Sequence, residues 1–222
     1  MTGPPDSAVD FAAARGEFLR AHVEGYLAED DVLLAARAEG NRWGCTPVGP
    51  GAGAGLRFLA AAIAARAVVE VGTGTGVSGL WLLRGMAGDG VLTSIDMDPE
   101  HQRTARAAFT AAGYGPSRMR LINGMGLEVL PRLTDGGYDL VFVDAEPVDY
   151  PRYLDQAVRL LRVGGIVAVG GVLAHRALDP DATEPDALGV REVARQARED
   201  DRLAPLLLPL GDGLLAAVKT MS

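Results

Sequence analysis

A doubly wound α/β fold, mostly parallel and closed by an antiparallel hairpin, is what this 222-residue sequence predicts. Three observations carry the prediction. Short β-rich runs alternate with helical stretches between residues 67 and 169, the βαβα order of a parallel sheet with helices on both faces. The runs, "LVFV" among them, are apolar without alternation, as strands buried on both faces require. Last, "LAPLLLPL" and "GLLAAVK" follow one another with Gly211-Asp212-Gly213 at their junction, a hairpin signal.

The elements follow in order. "FAAARGEFLRAHVEGYLA" sets Phe11, Phe18, Leu19, His22, Val23 and Tyr26 at helical spacing, and "EDDVLLAARAEG" continues in the same style. Gly and Pro in "NRWGCTPVGPGAG" break that pattern, and an Ala-rich helix over Ala52–Ala65 follows. Strands are expected at Ala67–Val71, Val91–Asp96, Arg118–Asn123, Tyr138–Asp144 and Gly165–Val169. Helices are expected between them at Val77–Met86, Pro99–Ala112, Gly126–Leu133 and Tyr150–Leu161. "LDPDATEPDALG" reads as a solvated loop leading to a helix cap at Thr183 or Asp186. No internal repeat or low-complexity linker divides the chain. Residues 1–222 are therefore expected to form one domain, with residues 1–45 as a helical N-terminal extension.

Composition narrows the function classes. Apolar residues make up 48% and charged residues 23%, the balance of a globular protein rather than a disordered one. The formal charge of −8 argues against general binding to a polyanion. Arg103, Arg106, Arg118 and Arg120 could still form a local patch, though a solvated surface of mixed charge is the plainer reading. Cys45, the single cysteine, excludes an internal disulfide framework and a Cys-rich zinc site. No apolar run reaches the roughly 18–20 residues that span a bilayer. The first residues show no basic region followed by a hydrophobic core, so no signal peptide is expected. Membrane association is not expected, and the expected place of work is the cytoplasm.

"VVEVGTGTGVSG" is the most informative stretch. A buried strand runs into Gly72, Gly74 and Gly76 and a helix begins directly after, a turn whose glycines let the backbone pass close to a ligand. The spacing is G-x-G-x-G, with Val77 where a dinucleotide fingerprint places its last small residue. Asp96 ends the next strand, where an acid can accept hydrogen bonds from both ribose hydroxyls of an adenosine. Capping of the following helix is the competing role, and Asp98 is an equally good candidate for it. S-adenosylmethionine (SAM) suits this loop better than NAD, because it has no pyrophosphate to cradle. Ser78 and the N–H groups of the helix start could take its carboxylate.

At these residues the sequence resembles the O-methyltransferases of the catechol and caffeoyl-CoA type. The resemblance runs from about Thr46 to the C-terminus through "VVEVGTGTGVSGLWLL", "LTSIDMDPEHQRTAR", "GMGLEVLPRL", "YDLVFVDAEPVDYPRYLDQAVRLLRVGG" and "GDGLLAAVK". It is nearest to a bacterial branch of uncharacterised members. It implies the class I SAM methyltransferase fold, a Rossmann-like sheet of seven strands with N-terminal helices that often form a lid. It implies SAM as cofactor, S-adenosylhomocysteine (SAH) as product, a small-molecule methyl acceptor and a homodimer. It assigns Glu70, Gly72, Gly74, Gly76, Ser78 and Asp96 to SAM, Val48 to its methionine portion, and Met97 and Gly126 to the adenine. Asp144 borders the same pocket.

The catalytic half departs from the family. Typical members hold a divalent metal on an Asp that matches Asp144 and on an Asp-Asn pair after the next strand. Here Gly170 and Gly171 stand in place of that pair, and glycine supplies no side-chain oxygen to a hard cation. The family's general-base Lys is matched by Pro147. No metal is therefore expected. Asp144, Glu146 and His175 are the candidate catalytic residues, with Asp149 beside them. His22 could also face the pocket, although its place in the helical stripe favours packing. The leading reading is metal-independent O-methylation of a small molecule. A silent SAM- or SAH-binding regulator, a tRNA-modifying methyltransferase and a nicotinamide dehydrogenase are the alternatives.

Overall fold

The structure, a computed structural model, describes residues 7–174 and 176–221. Helices α1 (Ser7–Glu24), α2 (Asp31–Trp43) and α3 (Pro50–Ala62) precede the sheet. There follow β1 (Ala67–Val71), α4 (Val77–Gly85), β2 (Val91–Asp96), α5 (Pro99–Ala111), β3 (Met119–Asn123), a short α6 (Gly126–Val129) and β4 (Tyr138–Val143). The remainder is α7 (Tyr150–Leu160), β5 (Leu161–Gly170), α8 (Pro185–Glu199), β6 (Leu203–Leu208) and β7 (Leu214–Lys219).

The seven strands form one sheet in the order β3-β2-β1-β4-β5-β7-β6. Pairings from β3 through β5 are parallel, and β7 runs antiparallel to both β5 and β6. This is the predicted layout. The chain leaves β1 toward β2 and returns to its other side as β4, so the carboxyl ends of β1 and β4 flank a crevice where open α/β sheets bind ligands.

Alternation along the strands divides the core in two. Val69, Val71, Val141, Val143, Val167 and Val169 face α7 and α8. Val68, Leu140, Phe142, Ile166 and Ala168 face α3, α4 and α5. Each fully buried Val, Leu or Phe contributes about 1.5–3 kcal/mol. Near the sheet's end, the buried Lys219 donates from Nζ to the carbonyls of Val158 and Leu161, both at 2.9 Å, which closes the carboxyl end of α7. At the other side, Glu24 on α1 accepts from Gly51 N–H and Gly211 N–H, both at 2.8 Å. One carboxylate thus fixes α1 to the start of α3 and to the β6–β7 turn.

Several details differ from the sequence reading, among them the helix expected over Gly126–Leu133, which is α-helical only over Gly126–Val129. β5 begins at Leu161 rather than Gly165, because a bulge between the pairs Tyr138–Leu161 and Leu140–Ile166 carries the strand across the glycines. Helix α8 is capped by neither Thr183 nor Asp186; Glu184 stands at the cap with extended backbone, and Pro185 opens the helix. His22 is exposed and lines an apolar cavity between α1, α3 and β6 instead of the crevice.

Candidate functional site

A cavity of about 540 Å³ opens at the carboxyl ends of β1, β2 and β4. Its floor is the glycine turn. Gly72 has φ +95°, and an added Cβ would stand 2.0 Å from the Asp144 carbonyl oxygen, so only glycine lets β1 and β4 separate here. Gly74 has φ +49° with open space where a side chain would be, the close backbone approach a ligand needs. Gly76 does other work: its missing Cβ makes room for Ala105 and Phe109 of α5, and it is not among the cavity's lining residues.

Asp96 and Asp98 divide the two roles the sequence left open. Asp98 caps α5 by accepting from Glu100 N–H at 2.8 Å. Asp96 faces the cavity, with Oδ2 accepting from Gly74 N–H at 2.9 Å and Oδ1 from Asp98 N–H at 2.8 Å. The carboxylate is oriented by backbone and keeps acceptor capacity toward the cavity.

Glu70 lies behind the floor, fully buried. It accepts from Ser78 Oγ at 2.6 Å and Ser94 Oγ at 2.5 Å. Burial pushes its carboxyl up to about 7, the two serine hydroxyls pull it down, and the charges of Asp144 and Asp96 raise it further. Ser78 lines the cavity, but its hydroxyl proton is committed to Glu70, so it can only accept from a ligand.

Val48, Met97, Gly126, Asp144 and Glu146 all line the cavity. Val48 belongs to the 44–49 loop between α2 and α3. Arg37 holds this loop by donating to the Val48 carbonyl at 2.8 Å and the Pro47 carbonyl at 3.3 Å, and is itself paired with the nearly buried Glu29. None of the described side chains of α1 lines this cavity, whereas Thr46, Pro47 and Val48 of the loop do. The sequence reading missed Cys45, His101, Met125 and Tyr153, which also line it. Met125 beside Gly126, and Tyr153 three positions into α7, carried a spacing signal; Cys45 and His101 carried none.

Asp144 is half-buried at the end of β4, and burial, with the charge of Asp212, pushes its carboxyl up to about 7. An added Cβ at Gly170 would stand 2.9 Å from its Oδ1. The space a side chain at Gly170 would enter is therefore bordered by the Asp144 carboxylate. Among the described residues no three His, Cys, Asp or Glu side chains gather as a metal shell would require. Pro147, at the family's lysine position, is buried, and its carbonyl would lie 2.2 Å from a Cβ on Gly189 of α8. Pro147 and Val148 form a seat for α8. His175 lies outside the described residues.

Two of the four arginines are engaged locally. Arg118 spends its guanidinium on the carbonyls of Ala87, Gly88 and Gly90, and Arg103 pairs with Glu100. No helix among the described residues is long and apolar enough to cross a membrane.

Comparison with known proteins agrees with this architecture. A relative from Mycobacterium tuberculosis that carries an inferred O-methyltransferase name is 55% identical over 209 residues, covering 94% of this chain and 93% of that protein. A Corynebacterium glutamicum protein of known structure superposes with a TM-score of 0.86 at 31% identity, over 94% of this chain and 98% of that one. The O-methyltransferase TomG of Streptomyces achromogenes, involved in tomaymycin synthesis and solved with SAM, superposes with a TM-score of 0.81 at 28% identity, over 91% and 96%. The family model described as O-methyltransferase matches residues 29–220. With sheet order, glycine turn and match in agreement, the chain belongs to the O-methyltransferase family.

Proposed function

We propose that this protein is a SAM-dependent methyltransferase that acts on an oxygen of a small molecule without the divalent metal and lysine typical of the catechol and caffeoyl-CoA type it resembles. The observation that carries the reading is the cavity at the switch point, where Asp96 stands opposite the open backbone of Gly74. In this assignment Asp96 accepts the ribose hydroxyls, Met97 and Met125 lie against the adenine, and Gly126 borders it. Gly72, Ser78 and Val48 border the methionine portion, and Glu70 fixes the Ser78 hydroxyl. SAM supplies an electrophilic methyl group on a sulfonium, which the acceptor oxygen displaces in line. Holding the acceptor in line contributes on the order of 7–11 kcal/mol. Asp144 and Glu146 are the groups available to take the acceptor's proton. An acid whose pKa has been raised to about 7 is well matched to that task at neutral pH.

Calorimetry with SAH and NAD in parallel, followed by methyl transfer to a panel of catechols and phenols with and without EDTA, tests the proposal. SAH binding and EDTA-insensitive transfer are expected. Transfer lost in EDTA and restored by magnesium overturns the metal-free part. SAH binding without turnover on any acceptor favours a regulator, and preference for NAD removes the methyltransferase reading.

The protein is further proposed to work as a homodimer in the cytoplasm. An apolar cavity of about 520 Å³ lined by Tyr26, Phe58, Leu206 and Leu210 continues into an unpaired β6 edge with Leu206 57% and Leu207 49% exposed, a surface that association would cover. The free thiol of Cys45 suits a reducing compartment. Sedimentation as a monomer at micromolar concentration would contradict the dimer.

A further inference from the structure

Cys45, His101, Asp96 and Asp98 come together on one wall of the cavity, although they come from three elements. Cys45 sits in the 44–49 loop, His101 in the first turn of α5, and Asp96 at the end of β2. The Cys45 Sγ lies 3.0 Å from His101 Nε2. His101 Nδ1 lies 3.5 Å from Asp96 Oδ1, and Nε2, the nitrogen that meets the thiol, also lies 3.8 Å from Asp98 Oδ2. The His101 side chain is 20% exposed, so the ring is held by these neighbours more than by water.

Burial, with the charges of Asp96 and Asp98, pushes the Cys45 thiol up, which keeps it an S–H donor at neutral pH. A thiol that donates to Nε2 leaves the ring proton on Nδ1, the nitrogen nearest Asp96. The chain of contacts then runs from the loop through thiol and imidazole to the carboxylate. Arg37 holds the same loop from behind through the Pro47 and Val48 carbonyls. The Cys45–His101 contact is therefore its attachment on the cavity side.

We propose that Cys45 and His101 form a latch that ties the 44–49 loop to the Asp96 carboxylate, making His101 a positioning residue for the adenosine half of the cofactor. The inference rests on the reading of Asp96 as the ribose acceptor. It explains why the only cysteine of the chain faces the cavity rather than the core. It also assigns the loop a job: the loop and the acid that meets the ribose move as one piece.

SAH affinity is measured by calorimetry on the full-length protein for wild type, Cys45→Ala, Cys45→Ser, His101→Ala, Asp96→Asn and the double variant Asp96→Asn/His101→Ala. His101→Ala and Cys45→Ala are expected to weaken SAH about 3–10-fold, the range for one net hydrogen bond. Cys45→Ser keeps a donor and should recover most of that loss. In the Asp96→Asn background the His101 substitution should change affinity by less than about 2-fold, because its partner has gone. Iodoacetamide gives a readout independent of binding energy, since Cys45 is its single cysteine target. Alkylation should be faster in His101→Ala than in wild type, and SAH should slow it in wild type. If Asp96→Asn weakens SAH while the Cys45→Ala and His101→Ala proteins bind as wild type, the latch is refuted and the ribose reading stands. If Asp96→Asn itself binds SAH normally, the ribose reading falls and the latch with it. Full additivity in the double variant also overturns the proposal. Should His101→Ala not fold, the Cys45→Ala and Cys45→Ser pair carries the same comparison.

Discussion

Asp144→Asn deletes a charge while keeping the side chain's shape, at the point where the structure makes that charge most costly. Burial, with Asp212 adding, raises the folded-state pKa to about 7, while the unfolded chain returns to near 3.9. Between roughly pH 4 and 7 the folded protein keeps a proton that the unfolded chain has lost. Stability therefore falls as pH rises through that window, and the cost is complete above it. Between pH 5 and 7 about two pKa units count, or ~2.7 kcal/mol at full weight. Asp144 lines an open cavity, and water shares its field, so about half of this, ~1.4 kcal/mol, is expected. For a chain of this size that is about 3–6 °C in Tm. The assay is thermal unfolding of wild type and Asp144→Asn at pH 5 and pH 8. The wild type should lose more on going to pH 8, and the variant should be the more stable of the two there. Glu70, raised in the same direction, leaves a residual slope in both proteins. Equal pH dependence, or a variant less stable than wild type at pH 8, would refute the assignment of a costly charge to Asp144.

Other substitutions probe the frame around the site. Gly72→Ala places a Cβ 2.0 Å from the Asp144 carbonyl at φ +95°; a loss of more than ~3 kcal/mol in urea unfolding is expected, and a change below 1 kcal/mol would contradict the close approach of β1 and β4. Arg37→Ala strips the nearly buried Glu29 of its partner and frees the 44–49 loop. It should cost ~1–3 kcal/mol and raise the SAH dissociation constant, as calorimetry would read. Lys219→Met removes both donations that close α7, for a loss of ~1–3 kcal/mol in the same urea assay, with SAH affinity unchanged.

Much of the fold was legible because it rests on local signals. The bounds of β1 and β2 follow from apolar runs that stop at Gly and at an acid. The glycine turn declares itself because positive φ and close approach leave few other residues possible. The β5 bulge was not legible: "RVGG" looks like a turn, and only pairing with Tyr138 extends the strand through it. Ser78 shows the same limit at the site. It lines the cavity at the helix start, but its proton goes to Glu70, because residues eight apart meet across the turn.

The sequence alone therefore determined the class of fold and the place of the cavity at the ends of β1, β2 and β4, and it puts Gly170, Gly171 and Pro147 where the family it resembles carries its metal and base side chains. Those are matters of residue type and periodicity, which the chain carries locally. Tertiary structure decided what packs at those positions: the Asp144 carboxylate over Gly170, and α8 seated against Pro147. It also decided which residues share a wall, since Cys45 and His101 lie 56 positions apart and meet at 3.0 Å only after the sheet has formed. Such contacts depend on how helices dock over a crevice, and no spacing in the chain encodes that distance.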